Sequence, residues 1–348
     1  MRRTGRRLAA AALILALCCG LAAADGTGGI TWTLDAAGVL TIGGSGAMPD
    51  YTHDSRPWAA EAGAIRRVVI GSGVTGIGSA AFMDCTGLTE VILPEGVAVL
   101  GDAAFAGCTG LTEIAVPGSA VSIGSFAFLG CTGLTGVTLG EGVEAIGDGA
   151  FYGCDSLEDI TLPESVATVG DAAFAGCTGL ADAEGFVVVR DVLYGYAGGG
   201  GEITVPQGVR TISVEAFAGF SRLTAVTLPG SVTGIGGYAF YDCSGLTRVT
   251  YGGTEAAWSE VEIGEGNECL MQAEIRFAGG TGVLDLPDSL TAVGSGAFAG
   301  LPGVEAVRLP AGIGSIAPDA FDPDVLLYVP NAAWAEWAEA NGYAWEPE

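Results

Sequence analysis

The sequence contains no lysine and a single histidine, His53. Its 13 basic residues are all arginines, against 40 aspartates and glutamates, and the net charge is −27. Without lysine, phosphate-loop, Schiff-base and kinase-type chemistry are excluded. Nucleic acid is bound by clustered lysine and arginine, so we expect no nucleic-acid partner. The acidity is interpreted as a means of keeping an apolar chain soluble by self-repulsion, rather than as an acidic binding function.

Long apolar runs are also lacking after residue 24, and this favours no membrane insertion once the leader has been removed. The leader itself has the features of a signal peptide over residues 1–24. It begins with four arginines and continues with the apolar run Leu8–Leu17. Small residues at Ala22 and Ala24 then predict cleavage before Asp25. We therefore expect a secreted or cell-surface protein.

Glycine is abundant, with 59 residues, and an Ala-Phe pair recurs along the chain. The phenylalanines of these pairs are 23 residues apart within each run: Phe82, Phe105, Phe128, Phe151 and Phe174, then Phe217 and Phe240, then Phe298 and Phe321. Two irregular gaps between the runs predict insertions near residues 181–202 and 251–280. A period of 23 falls within the range of leucine-rich repeats, whose coils must stack to bury their apolar faces.

Each position of the coil has a physical role. Leu88 and Val91 alternate inward along a strand, and Pro94 ends that strand because it has no N–H for a ladder. Asp102 is expected to cap a short helical turn that carries Phe105 into the core. The pattern predicts a solenoid, mainly β with short helical turns, in which stacked 23-residue coils form a parallel sheet.

The ends of such a stack need caps. The pattern predicts an N-terminal β cap with a hairpin over residues 25–64. It places the solenoid at residues 65–320 and a C-terminal cap at residues 321–348. Within the last segment, Asn331 is expected to begin a short helix.

Two columns of reactive residues recur in the coils. Six cysteines share one position, Cys85, Cys108, Cys131, Cys154, Cys177 and Cys243. Because Phe220 and Leu301 fill the same position elsewhere, we interpret the cysteines as buried core thiols, with disulfides and a metal site as alternatives. Asp102, Asp148 and Asp171 form the second column. Serine replaces them in other coils, which favours capping over calcium binding. No metal or cofactor is therefore expected.

Catalytic candidates are few. His53 lies in a polar stretch of the first cap, and nothing around it resembles a nucleophile elbow. A carboxylate pair suited to glycoside hydrolysis stays open among 40 acidic residues. We expect no catalytic residues.

The repeated unit reads Leu-Pro-x-Gly-Val-x-x-Ile-Gly-x-x-Ala-Phe-x-Gly-Cys-x-x-Leu-x-x-Val. It resembles the BspA-type leucine-rich repeats of bacterial surface and secreted proteins, over essentially the whole chain after the leader. The opening Thr31-Trp32-Thr33-Leu34 is similar to that family's N-terminal segment. The resemblance implies a leucine-rich-repeat solenoid and a role in adhesion or protein binding.

We therefore expect an extracellular protein-binding or adhesion module, a monomer, without catalytic activity. Its partner would be an extracellular protein or glycan. One alternative is a carbohydrate-binding protein or weak glycosidase that uses the 251–280 insertion, and another is a structural cell-surface spacer. The candidate binding residues lie on the outer strand face and in the insertions: Arg67, Glu90, Glu113, Asp159, Tyr194, Tyr196 and Trp258.

Overall fold

The computed structural model of the protein describes residues 23–24, 29–278, 283–299, 304 and 306–347. It is a β-solenoid of about 11 parallel turns spaced about 23 residues apart, which confirms the predicted fold class. The chain forms two compact units. Unit 1 contains the described residues up to Val189 together with Leu193–Gly198 and Ser213–Ala216, and unit 2 contains Arg190–Val192, Gly199–Ile212 and the residues from Phe217 onward. Most of the expected signal peptide lies outside the described residues.

Each regular coil of unit 1 supplies two short strands, and these pair in two separate parallel ladders. In the first ladder Glu113 pairs with Gly136, and in the second Ile123 pairs with Ile146, each one repeat further along. The sequence predicted only the first ladder. The second escaped because its strands are mostly two residues long, too short to show an alternating pattern.

The strands up to residue 196 are β1 Ala23–Ala24, β2 Ile30–Leu34, β3 Val39–Gly44, β4 Gly46–Ala47, β5 Arg67–Ile70, β6 Val74–Ile77, β7 Glu90–Ile92, β8 Val99–Leu100, β9 Glu113–Val116, β10 Ser122–Ile123, β11 Gly136–Leu139, β12 Ala145–Ile146, β13 Asp159–Ile160, β14 Thr168–Val169, β15 Phe186–Val189 and β16 Val192–Tyr196. The odd-numbered strands β3 to β13 follow the first ladder, which is made of two hydrogen-bonded sets, β3-β5-β7 and β9-β11-β13. The even-numbered strands β4 to β14 form the second ladder. Two 3₁₀ helices, Ala59–Ala64 and Thr178–Leu180, also occur in this part of the chain.

The predicted hairpin begins unit 1. Strands β2 and β3 are antiparallel, and β3 then pairs in parallel with β5, so the hairpin continues the first ladder. Asp35 fixes the turn, because its side chain accepts hydrogen bonds of 2.9 Å from the backbone N–H groups of Ala37 and Val39. Trp58 covers the end of the core by stacking on Phe82 at 5.7 Å. Its indole N–H donates to the carbonyl of Ala81 at 2.9 Å.

A column of phenylalanine rings forms the centre of unit 1. The five rings from Phe82 to Phe174 are fully buried, and neighbouring centroids are 5.2 to 5.4 Å apart. Stacking of this kind adds about 0.5–1.5 kcal/mol per pair beyond the area that is buried. The column confirms the prediction that the Ala-Phe pair points inward.

The turn that carries each phenylalanine differs from the prediction. It is a tight turn rather than a helix, and Ala103 within it adopts the left-handed conformation with φ of 52°. Asp102 does not cap its own turn, because its carboxylate accepts a 2.8 Å hydrogen bond from the backbone N–H of Ser125 in the next coil. Asp148 makes the same contact to Asp171 at 3.0 Å. The capping interaction therefore joins neighbouring coils.

Unit 2 repeats this plan with longer connections. Its strands are β17 Gly201–Thr204, β18 Thr211–Ile212, β19 Leu223–Leu228, β20 Gly234–Ile235, β21 Arg248–Tyr251, β22 Glu262–Ile263, β23 Glu274–Phe277, β24 Val283–Asp285, β25 Ala292–Val293, β26 Ala306–Arg308, β27 Ser315–Ile316, β28 Leu326–Val329 and β29 Trp345–Pro347. Its helices are α1 Glu255–Ser259, α2 Glu268–Gln272 and α3 Ala332–Ala340. No helix among the described residues is long and apolar enough to cross a membrane.

The segment 251–280, predicted as an insertion of about one coil, contributes strands to the solenoid over its described residues. Strand β22 pairs with β20 and strand β23 pairs with β21, so the segment is a longer coil of the solenoid itself. Its lengthened turn holds α1, and α2 replaces the usual phenylalanine turn. Asn267 fixes this coil to the preceding one by accepting from the N–H of Phe240 and donating to the carbonyl of Gly236, both at 2.9 Å.

The end of unit 2 follows the prediction more closely. Asn331 begins α3, and its side chain accepts hydrogen bonds from the N–H groups of Ala333 and Trp334. Trp337 stacks on Tyr343 at 5.8 Å, and Tyr343 packs edge-on against Phe321. The helix therefore covers the last coil with aromatic rings.

Candidate binding surfaces

Five outward residues along the first ladder of unit 1 occupy equivalent positions in successive coils. Arg67 pairs in register with Glu90, and in the next set of strands Glu113 pairs with Gly136 and Gly136 with Asp159. We call these five residues the acidic strip. Four of the seven candidate residues named from the sequence therefore lie on one face of unit 1.

Within the acidic strip, Arg67 forms an ion pair with Glu90. The Nε of Arg67 lies 3.1 Å from the Oε2 of Glu90. Such an exposed pair contributes at most about 1 kcal/mol. Gly136 separates the exposed carboxylates of Glu113 and Asp159 and presents no side chain of its own. A Cβ atom added there would have Glu113 Cγ, at 3.8 Å, as its nearest neighbour. A gap thus opens between the two acids.

A shallow depression of about 800 Å³ lies over this gap. The acids of the strip line it together with small polar side chains of the neighbouring rows, including Thr89, Thr112 and Thr138. Short side chains leave the strand surface accessible to a partner. The face contains no large aromatic side chain to act as an anchor, and large aromatics are the usual centres of binding energy.

The three aromatic candidates are placed differently. Tyr194 is only 3% exposed and packs edge-on against Phe174 at 5.3 Å, so it ends the phenylalanine column and is not accessible to a ligand. Tyr196 is half-buried against Phe186 at 4.8 Å. Trp258 is half-buried on α1 and packs against Tyr251 at 5.1 Å. Tyr194 was misassigned because the irregular spacing after Phe174 hides its alignment with the column.

Several exposed aromatics were missed by the sequence reasoning. Tyr238 and Tyr241 of unit 2 are 40% and 55% exposed, and in unit 1 Phe126 and Tyr152 are similarly exposed. All four lie in or beside the turns that carry the inward phenylalanines. Their position in the repeat could have revealed them, because most other coils have alanine or glycine there and none has an aromatic ring at both positions.

The cysteine column is buried, as predicted. Each of five thiols donates a hydrogen bond to the carbonyl of the phenylalanine in the preceding coil, as Cys131 does to Phe105 at 3.2 Å. Burial raises the pKa of Cys85 and of Cys131 to about 12. These two thiols are therefore protonated at neutral pH, and the hydrogen bond made by the column explains a preference for cysteine over an aliphatic residue of similar size.

His53 is exposed in the first cap and contacts two carboxylates. Its Nδ1 lies 2.8 Å from Asp54 and its Nε2 lies 3.3 Å from Asp84. Over the described part of the chain, no group of three or more His, Cys, Asp or Glu side chains is placed to hold a metal ion.

A family model for the BspA type leucine-rich repeat region matches residues 60–181, 197–258 and 281–326 in six copies. The chain belongs to this family.

Similar solved structures include a leucine-rich repeat protein from Eubacterium ventriosum, which is 20% identical with a TM-score of 0.45 over 85% of this chain and 93% of that one. A leucine rich cell surface protein from Faecalibacterium prausnitzii is 22% identical, with a TM-score of 0.40 over 94% and 95%. The pneumococcal vaccine antigen PcpA is 16% identical, with a TM-score of 0.41 over 94% and 99%. No curated protein matches the chain.

Proposed function

We propose that this BspA-type chain is an extracellular protein-binding or adhesion module that acts without catalysis and binds through the acidic strip. The observation that carries the proposal is the strip itself. It combines three exposed carboxylates and one arginine with an open depression on a regular strand face. In repeat proteins such a face provides an extended binding surface.

The charge of the strip indicates the kind of partner. Glu113 and Asp159 lie across Gly136, so basic side chains of a protein surface would complement them, and a glycan would lack aromatic rings to stack on. The extracellular location is supported by the expected signal peptide. One similar structure is described as a cell surface protein and another as a vaccine antigen.

The absence of catalysis is part of the same proposal. The repeat thiols are buried, and burial raises the pKa of Cys85 and Cys131 to about 12, which makes them poor nucleophiles. The two ring nitrogens of His53 contact the carboxylates of Asp54 and Asp84, whereas a histidine that activates a nucleophile needs a hydroxyl or thiol within hydrogen-bond reach. Replacement of His53 by alanine is therefore expected to leave binding unchanged.

The proposal is tested by a binding screen of the chain from Asp25 onward against extracellular-matrix proteins and glycans in parallel. A Glu113→Lys/Asp159→Lys variant should bind a retained protein at least about tenfold more weakly, a loss of about 1.4 kcal/mol. The control is Glu141→Lys/Glu164→Lys, which makes the same charge change at exposed turns of unit 1. It should shift affinity by less than about twofold.

Three results would contradict the proposal. An equal loss of affinity in the strip variant and in the control variant would show that only the net charge matters. Retention of glycans alone, abolished by Trp258→Ala, would favour the carbohydrate-binding alternative. Retention of no ligand would favour the structural spacer.

A further inference from the structure

A second exposed cluster lies in unit 2, on the turn that precedes and follows Phe240. Tyr238 and Tyr241 are exposed there, with ring centroids 5.9 Å apart and an angle of 67° between their planes. The Tyr238 hydroxyl donates a 3.2 Å hydrogen bond to Glu265, and Glu268 begins the short helix α2 nearby. We call these four residues the tyrosine–glutamate cluster.

The coil does not require either tyrosine. The position of Tyr238 is filled by Ala103 and Ala172 in unit 1, which adopt the same left-handed conformation. The position of Tyr241 is filled by Ala106 and Ala175. A large side chain at a φ of 58°, as at Tyr238, costs on the order of 1 kcal/mol. Phe126 of unit 1 occupies the Tyr238 position and Tyr152 the Tyr241 position, so the coil tolerates a ring at either one. Among the described regular coils, only this one has an aromatic ring at both positions, and the pair of rings is what requires a role beyond folding.

The cluster is held in a fixed arrangement. The Tyr238 ring lies over Gly266, where a Cβ atom would approach the ring to 2.3 Å, so only glycine leaves room for it. The hydrogen bond to Glu265 raises the pKa of Tyr238, and the negative charges of Glu265 and Glu268 add to the rise. The exposed rings therefore lie beside two negative charges.

We propose that the tyrosine–glutamate cluster binds the guanidinium group of an arginine in a basic peptide segment of a partner protein. A guanidinium is attracted to the face of a tyrosine ring and pairs with carboxylates. The net charge of −27 attracts such a segment over a distance. The site is separate from the acidic strip, and the proposal does not depend on what that strip binds.

The protein already contains this arrangement with its own arginine. In unit 2 the Cζ of Arg308 lies 4.9 Å from the centre of the Tyr328 ring, and its Nε donates to Asp285 at 2.9 Å. A tyrosine ring, a carboxylate and a guanidinium are thus combined on one surface of the same chain. In the tyrosine–glutamate cluster the partner would supply the guanidinium.

Ring geometry favours this occupant over a sugar. Carbohydrate stacking is best served by a flat aromatic platform, and the two rings here meet at 67° instead. A compact planar cation needs only one ring face and an adjacent carboxylate, which Tyr238 and Glu265 provide together.

The test uses the chain from Asp25 onward and a synthetic peptide of four Gly-Arg units with blocked ends, titrated by calorimetry. Tyr238→Ala/Tyr241→Ala changes no charge and should weaken binding at least about fivefold, because the cation–π contact with the guanidinium is lost. Tyr238→Phe/Tyr241→Phe keeps the rings and should stay within about threefold of the wild type. This second variant decides the result if the alanine variant unfolds.

Charge effects are separated by a matched pair of variants. Glu265→Gln/Glu268→Gln should weaken binding at least about fivefold, while Glu141→Gln/Glu164→Gln, with the same loss of charge, should change it less than about twofold. A peptide with citrulline in place of arginine should not bind. Equal effects of the two acid variants, or unchanged affinity without the tyrosine rings, would overturn the proposal. Binding of chito- or malto-oligosaccharides in place of the peptide would also overturn it.

Discussion

The cysteine column makes a sharp prediction about thiol reactivity. Burial raises the pKa of Cys85 and Cys131 to about 12 and that of Cys243 to about 11, from an ordinary value of 9.0. A rise of 3 pH units lowers the thiolate fraction about a thousandfold at pH 8. Because the thiolate is the reacting species, Cys85 and Cys131 should react with a disulfide reagent about a thousand times more slowly than exposed thiols, and Cys243, with a rise of 2 units, about a hundred times more slowly.

The assay follows the chromophore released by an aromatic disulfide reagent at pH 8, with the chain from Asp25 onward. Of the seven free cysteines in the described residues, only the half-buried Cys269 should react rapidly in the native protein. All seven should react in denaturant without a reductant. Cys269→Ala should remove the fast phase and leave the slow phase unchanged. Rapid reaction of a second thiol, or a denatured count that is lower by pairs, would refute the buried, reduced column.

Two further predictions concern stability. Folded Cys85 and Cys131 hold their protons up to about pH 12, and unfolded thiols lose theirs near pH 9.0. The titration of these two thiols should therefore leave the free energy of unfolding unchanged below pH 9 and lower it above pH 9. Each thiol should contribute up to about 1.4 kcal/mol per pH unit, and Cys131→Ala should make the fall shallower in urea unfolding at pH 8 to 10.5. Gly130→Ala should destabilise unit 1 by about 1 kcal/mol, since φ is 66° with open space around the Cβ position. Gly63→Ala, which is also uncrowded but outside the left-handed region, should be neutral or stabilising by up to about 1 kcal/mol. Equal melting temperatures for the two alanine variants would contradict the assignment of the strain.

The repeat period carried most of what could be predicted about the fold. A regular spacing of 23 residues places every Ala-Phe pair at one position of the coil, so the buried column and the first ladder follow directly. The periodicity carries no information on contacts between coils. Asp102 accepts a hydrogen bond from the backbone N–H of Ser125 in the next coil instead of capping its own turn. This contact could not be predicted, because Ser125 is distant in sequence and comes near only when the coils stack.

Irregular spacing explains why other features could not be predicted from the sequence. The segment 251–280 has no Ala-Phe pair, since α2 takes the place of that turn, and its strands are recognisable only from their pairing with β20 and β21. Tyr194 likewise ends the column of rings outside the 23-residue spacing. The strand face could be predicted because its residues lie in regular coils. The tyrosine–glutamate cluster could not, because Glu265 meets Tyr238 from a neighbouring coil 27 residues away.

The most direct test of the strand face is to fill the gap between Glu113 and Asp159 without changing any charge. Gly136→Trp should do so and still fold, since a Cβ there makes only an ordinary contact at 3.8 Å. Gly118→Trp, at an exposed turn where a Cβ meets nothing closer than 4.0 Å, is the matched control. The measurement is the affinity of both variants for a protein ligand retained in the binding screen. If the ligand binds over this gap, Gly136→Trp alone should lower the affinity at least about tenfold. Unchanged affinity of Gly136→Trp, with an unchanged melting temperature, would contradict binding through the strand face.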